Sequence, residues 1–79
     1  MKLTYDPRYN VAYIRLKEKA ADVTTLHISE SLNVDISPDG TVYGIELLNA
    51  GEQLYKQDNG SIVVVNEALG DRQTLKLAS

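Results

Sequence analysis

Leu32-Asn33-Val34-Asp35-Ile36-Ser37-Pro38-Asp39-Gly40-Thr41-Val42-Tyr43-Gly44-Ile45-Glu46-Leu47-Leu48 is the stretch that decides the fold. Its apolar residues recur every second position on each side of Ser37-Pro38-Asp39-Gly40, the spacing of strands that bury one face. Pro38 presets φ, Ser37 and Asp39 can bond the local backbone, and Gly40 accepts a positive φ, so the four residues suit a tight turn. The spacing predicts a hairpin over Leu32-Leu48. Tyr43, Ile45 and Leu47 share one face of its return strand, and Gly44 lies on the other, where the absence of a Cβ lets a neighbour approach closely.

Upstream, Leu26 and Ile28 continue the even-numbered phase of Leu32, Val34 and Ile36, with Thr25, His27, Ser29, Asn33 and Asp35 between them. A straight strand would point Glu30 inward, which predicts a bend, bulge or break near Ser29-Glu30-Ser31. Further back, Asp6-Pro7-Arg8-Tyr9-Asn10 is a cluster of turn formers between two short runs rich in Tyr, Ile and Val. It predicts a second hairpin, Lys2-Leu16, with Ala12, Ile14 and Leu16 on the core face and Val11, Tyr13 and Arg15 on the other. Shifted by 31 positions, Leu3-Leu16 lies over Val34-Leu47, with Pro7 on Pro38, Val11 on Val42, Ile14 on Ile45 and Leu16 on Leu47. The two hairpins are either structural repeats or two hairpins of similar patterning.

Downstream the period changes. Asn49 suits the N-cap of a short helix near Ala50-Gln57, with Glu52 three residues on and Asp58-Asn59-Gly60 as its stop. Ile62 to Val65 reads as a buried strand and Gln73 to Ala78 as an alternating one, joined by a helical turn or a loop over Asn66 to Arg72. The expected architecture is α+β and mainly β: an antiparallel sheet built from two hairpins, one short helix and a C-terminal strand pair, all in one domain spanning 1–79.

Composition narrows the function. With 79 residues the core is thin, so dimerisation is expected to help. No cysteine is present, so disulfides, thiolate catalysis and cysteine-based zinc sites are excluded. A net charge of -3 speaks against a nucleic-acid partner, whose phosphates bind through clustered Lys and Arg. Apart from Arg15, Lys17 and Lys19 the basic residues are scattered. No apolar run reaches signal-peptide or membrane-spanning length, so no membrane association is expected and the cytoplasm is the expected location.

Asp35, Ser37, Asp39, Gly40 and Glu46 fall at positions 1, 3, 5, 6 and 12 of a calcium-loop pattern. The flanks alternate as strands where an EF-hand needs helices, and a hairpin carries Glu46 away from Asp39. The metal reading therefore stays an alternative, a small-ligand or calcium-binding site in the Asp35-Glu46 segment. His27, the only histidine, lies in the polar phase of its strand, and no nucleophile elbow surrounds Ser29, Ser31 or Ser37. No catalytic residue and no cofactor is expected. Tyrosines are the only aromatics, and Tyr suits both core and interface. Val11, Tyr13, Tyr43 and Tyr55 are the interface candidates; Tyr13 is covered either by a partner subunit or by the helix of its own chain.

Tyr5-Asp6-Pro7, Ala12-Tyr13-Ile14-Arg15-Leu16, Val34-Asp35-Ile36 with Asp39-Gly40, and Gly44-Ile45-Glu46-Leu47-Leu48-Asn49-Ala50 together resemble the bacterial family of the domain of unknown function 2283. The resemblance covers about the first fifty residues. It implies a compact β-rich domain with no assigned catalytic residues. It also implies an antitoxin-like or inhibitory role, since some members are encoded beside small toxin-like proteins. Ser37 stands where another acid is common in the family, and Ser61-Ser79 lies beyond the family motif. The expected function is a non-enzymatic protein-interaction module acting as a homodimer, with a basic protein as the partner that charge complementarity favours.

Overall fold

The computed structural model describes residues 1–18, 22–56 and 59–77. Turn chemistry sets the element boundaries. Asp6 accepts the Arg8 N–H at 2.9 Å and turns strand β1 (Lys2–Asp6) into β2 (Val11–Arg15). The Ser37 carbonyl accepts the Gly40 N–H at 3.0 Å, with Gly40 at φ 89, and turns β4 (Leu32–Ile36) into β5 (Val42–Leu48). Both predicted hairpins form. The break expected near Glu30 is a register shift between His27 and Ser29 followed by a turn, which makes Thr24–Ser29 a separate strand, β3, antiparallel to β4.

The five strands form one antiparallel sheet in the order β1-β2-β5-β4-β3. What joins the two hairpins is the pairing of β2 with β5, in which Ile14 lies opposite Ile45. These two residues are also equivalents in the 31-residue shift. A local twofold axis therefore passes through the Ile14–Ile45 pair and exchanges Tyr13–Glu46 with Gly44–Arg15. Register then lines up Leu3, Ile14, Ile45, Val34 and Leu26 in one apolar row across all five strands. The opposite face is mainly polar, with Val11 and Leu48 paired at one end of it.

Helix α1 (Ala50–Tyr55) caps the Tyr5–Ala12 end of the apolar face, with the Tyr5 and Tyr55 rings 5.4 Å apart. Its start differs from expectation. Asn49 has φ 55 and makes no side-chain cap; instead Asn10, from the β1–β2 turn, accepts the Gly51 N–H on its side chain at 2.6 Å and the Ala50 N–H on its carbonyl at 2.9 Å. The left-handed backbone of Asn49 aims its own side chain at Asn10, whose amide donates to it at 3.1 Å. The helix is thus tied to the first hairpin. The predicted end at Gln57, and Asp58 of the stop, lie outside the described residues, as do Lys19 and Ala78.

Among the described residues, strands β6 (Ser61–Asn66) and β7 (Asp71–Lys76) pair only with each other. Their link is a turn in which the Asn66 side chain accepts the N–H groups of Ala68 and Leu69. The expectation of a buried strand over Ile62 to Val65 is corrected: Val63, Val64 and Val65 are 43, 52 and 51% exposed, because a two-stranded ribbon has no second layer to enclose both faces. The main sheet is scarcely better enclosed. Ala12 and Ala50 are the only buried apolar side chains among the described residues.

Candidate functional site

Two cross-strand rows on the polar face place the site. One runs Thr4, Tyr13, Glu46, Asn33, His27 and the other Lys2, Arg15, Gly44, Asp35, Thr25. Gly44 leaves a gap in the middle of the sheet, and the Tyr13 ring lies in it: a Cβ at position 44 would stand 1.9 Å from the Tyr13 hydroxyl oxygen. The close approach expected at Gly44 is therefore made by Tyr13, which crosses β5 and donates its hydroxyl to Asp35 Oδ2 at 2.6 Å. Thr25 donates to Asp35 Oδ1 at 2.6 Å. Asp35 is only 7% exposed, so these hydroxyls replace the water its carboxylate would otherwise have.

Beside this triad lies a second chain of bonds. The Asn33 amide nitrogen donates to Glu46 Oε1 at 2.9 Å, which leaves the Asn33 oxygen to accept from His27 Nδ1 at 2.7 Å and so assigns that proton to Nδ1. The Arg15 guanidinium sits 5.4 Å from the Tyr13 ring centre, within cation–π range. Tyr13, Arg15, Thr25, Asp35 and Glu46 together line an open cleft of about 230 Å³.

The electrostatics oppose activation of the tyrosine. Burial, the bond to Asp35 and the charge of Asp35 push the Tyr13 hydroxyl up to about 12, with Arg15 acting weakly the other way. It is held as a neutral donor near pH 7, whereas a nucleophile or base needs its pKa moved toward the working pH. The cleft lining brings hydroxyl, carboxylate and guanidinium groups together, with the Tyr13 and Thr25 hydroxyls already bonded to Asp35.

The calcium-pattern residues divide between two places. Ser37 donates to Asp39 inside the β4–β5 turn, where the Asp39 carboxylate also accepts the Thr41 N–H at 3.0 Å. These bonds hold the Asp39 carboxyl down to about 2. Asp35 and Glu46 lie on the sheet, engaged by Tyr13, Thr25 and Asn33. No group of three or more His, Asp or Glu placed to hold a metal occurs among the described residues. The register shift after His27 carries Ser29 opposite Leu32, so Asn33 and not Ser29 neighbours the histidine.

The interface candidates are likewise spread out. Val11 and Tyr13 lie toward the polar face, Tyr43 is the extra residue where β5 bulges against Ile36, and Tyr55 packs on Tyr5 and over Gly60. Tyr13 is on the face opposite α1, so its own helix does not cover it. Arg15, Thr25 and Asn33 belong to the site and were not singled out from sequence; their signal was the polar phase they share with Tyr13, His27 and Asp35. No helix among the described residues is long and apolar enough to cross a membrane.

Searches of curated proteins and of solved structures return no match. A family model described as a protein of unknown function (DUF2283) matches residues 2–50, from β1 through the first residue of α1. Every side chain of the polar network lies inside that span, and the β6–β7 hairpin lies outside it. The chain belongs to the DUF2283 family.

Proposed function

We propose that this chain is a non-enzymatic protein-interaction module that works as a homodimer. One observation carries the reading: the molecule has far more surface than a compact chain of its size. Its accessible area is 5971 Å², against about 4,700 Å² for a compact monomer of 8.7 kDa, an excess of about 1,200 Å². Shape agrees with area. The Cα radius of gyration is 14.1 Å where about 12 Å would be compact, and the shortest dimension is only 19 Å. A slab with two buried alanines for a core is short of one layer, and burying apolar area is the main source of stability.

The partner beyond itself is a basic protein, favoured by the net charge of -3, and the role is antitoxin-like or inhibitory, in the cytoplasm. Held-back ionisation of Tyr13 supports binding over catalysis. A second reading, a small polar ligand in the Tyr13–Asp35 cleft, is favoured by the cleft of about 230 Å³. Sedimentation equilibrium over a wide concentration series tests the homodimer: a dimer mass is expected, and a monomer mass throughout would refute it.

A further inference from the structure

Cover over the apolar sheet face is uneven. Toward β1 and β2 the chain supplies partial cover of its own: Tyr55 of α1 reaches Tyr5, and Ile62, Val64 and Leu75 of the C-terminal hairpin face Leu3 and Ile14 across a cavity of about 270 Å³, with Val64 and Leu75 still half exposed. Toward β3 the face lies open. Leu26 and Ile28 are 43 and 56% exposed, although Leu26 stands in the same apolar row as Ile14 and Ile45.

We infer that a second copy of this chain covers the β3 side of the face, the exposed Leu26 and Ile28 with the half-buried Leu32, Val34 and Ile36 beside them, packing sheet against sheet. The inference rests on the homodimer reading and names the surface. A standard interface removes about 800 Å² from each partner, which the excess of about 1,200 Å² accommodates. The five residues carry no charge, so the patch meets itself about a twofold axis without like-charge contact. The adjoining edge strand β3, Thr24–Ser29, contains no charged residue, so no fixed charge borders the patch on that side, whereas the opposite edge β1 carries Lys2 and Asp6. The other face is a poorer candidate for self-association, since it carries Lys2, Arg15 and Glu46, whose charges a second copy would have to desolvate.

The chain has no cysteine, so single introduced thiols report on each face separately. Alkylation of Leu26→Cys is expected to slow by about tenfold or more when the protein is concentrated from monomer to dimer, because the thiol then reacts only on opening. Thr4→Cys, on the polar face, should react at one rate throughout. Leu26→Lys should return the mass to that of a monomer. A dimer in which Leu26→Cys reacts as fast as Thr4→Cys, or a Leu26→Lys protein that stays dimeric, would overturn the assigned surface while leaving the homodimer standing. A monomer mass for the unaltered chain would overturn both.

Discussion

Tyr13 crosses an entire strand to reach Asp35: its hydroxyl, carried on β2, donates at 2.6 Å to a carboxylate on β4, and the ring passes over Gly44 of β5 between them. The relationship makes three residues from three strands dependent on one another. It also explains the asymmetry of the local twofold, which pairs Tyr13 with the glycine position: two large side chains at those positions would compete for the same space.

Gly44→Ala follows directly. The added methyl would overlap the end of the Tyr13 ring, so the ring must swing away and Asp35 loses a donor while staying buried. A loss of about 1–3 kcal/mol in urea unfolding is expected, with most of it absent when Gly44→Ala is made in a Tyr13→Ala background.

Tyr13→Phe removes the donor and keeps the ring. In an ultraviolet titration of the folded protein, one tyrosine should ionise near 12, and that step should vanish in the variant. A hydroxyl raised above its unfolded value near 10 contributes stability that is fully present below about pH 10 and is lost as pH rises toward 12.

Asp39 acts in the opposite direction. Its carboxyl is held down to about 2 by the Ser37 hydroxyl first and the Thr41 N–H next, so its contribution is present above about pH 4 and is lost as pH falls toward 2. Carboxyl titration followed by NMR should show this low midpoint, and Ser37→Ala should move it upward toward the ordinary value of an aspartate.

Asn10→Ala should loosen α1 although position 10 lies outside the helix. The substitution removes the side chain that accepts the Gly51 N–H and puts a Cβ-bearing residue without a local bonding partner at φ 58. A cost of about 1–2 kcal/mol is expected, and Asn10→Asp, which keeps the acceptor, should recover part of it.

Period-two spacing made most of the main sheet legible. Leu32 to Leu48 alone gave a hairpin with its turn, and Glu30, out of phase with its neighbours, marked the break between β3 and β4. The junction between the hairpins was not legible, because β2–β5 pairing depends on register between distant segments and leaves no local pattern. Asn49 does hold the N-cap position of α1, but the side chain that accepts a helix N–H there belongs to Asn10, 41 positions from that N–H, for a related reason. At the site, Gly44 foretold a close approach, but Tyr13 as its source and Asp35 as its target required the sheet order. The C-terminal valines looked like a core strand since the hydrophobicity of a run is the same whether or not a second layer covers it.

The most direct test of the homodimer is the concentration dependence of unfolding. If a second copy completes the core, the urea midpoint should rise with protein concentration, with apparent stability gaining about 1.4 kcal/mol for each tenfold increase. A midpoint that does not move over a hundredfold range of concentration would contradict it.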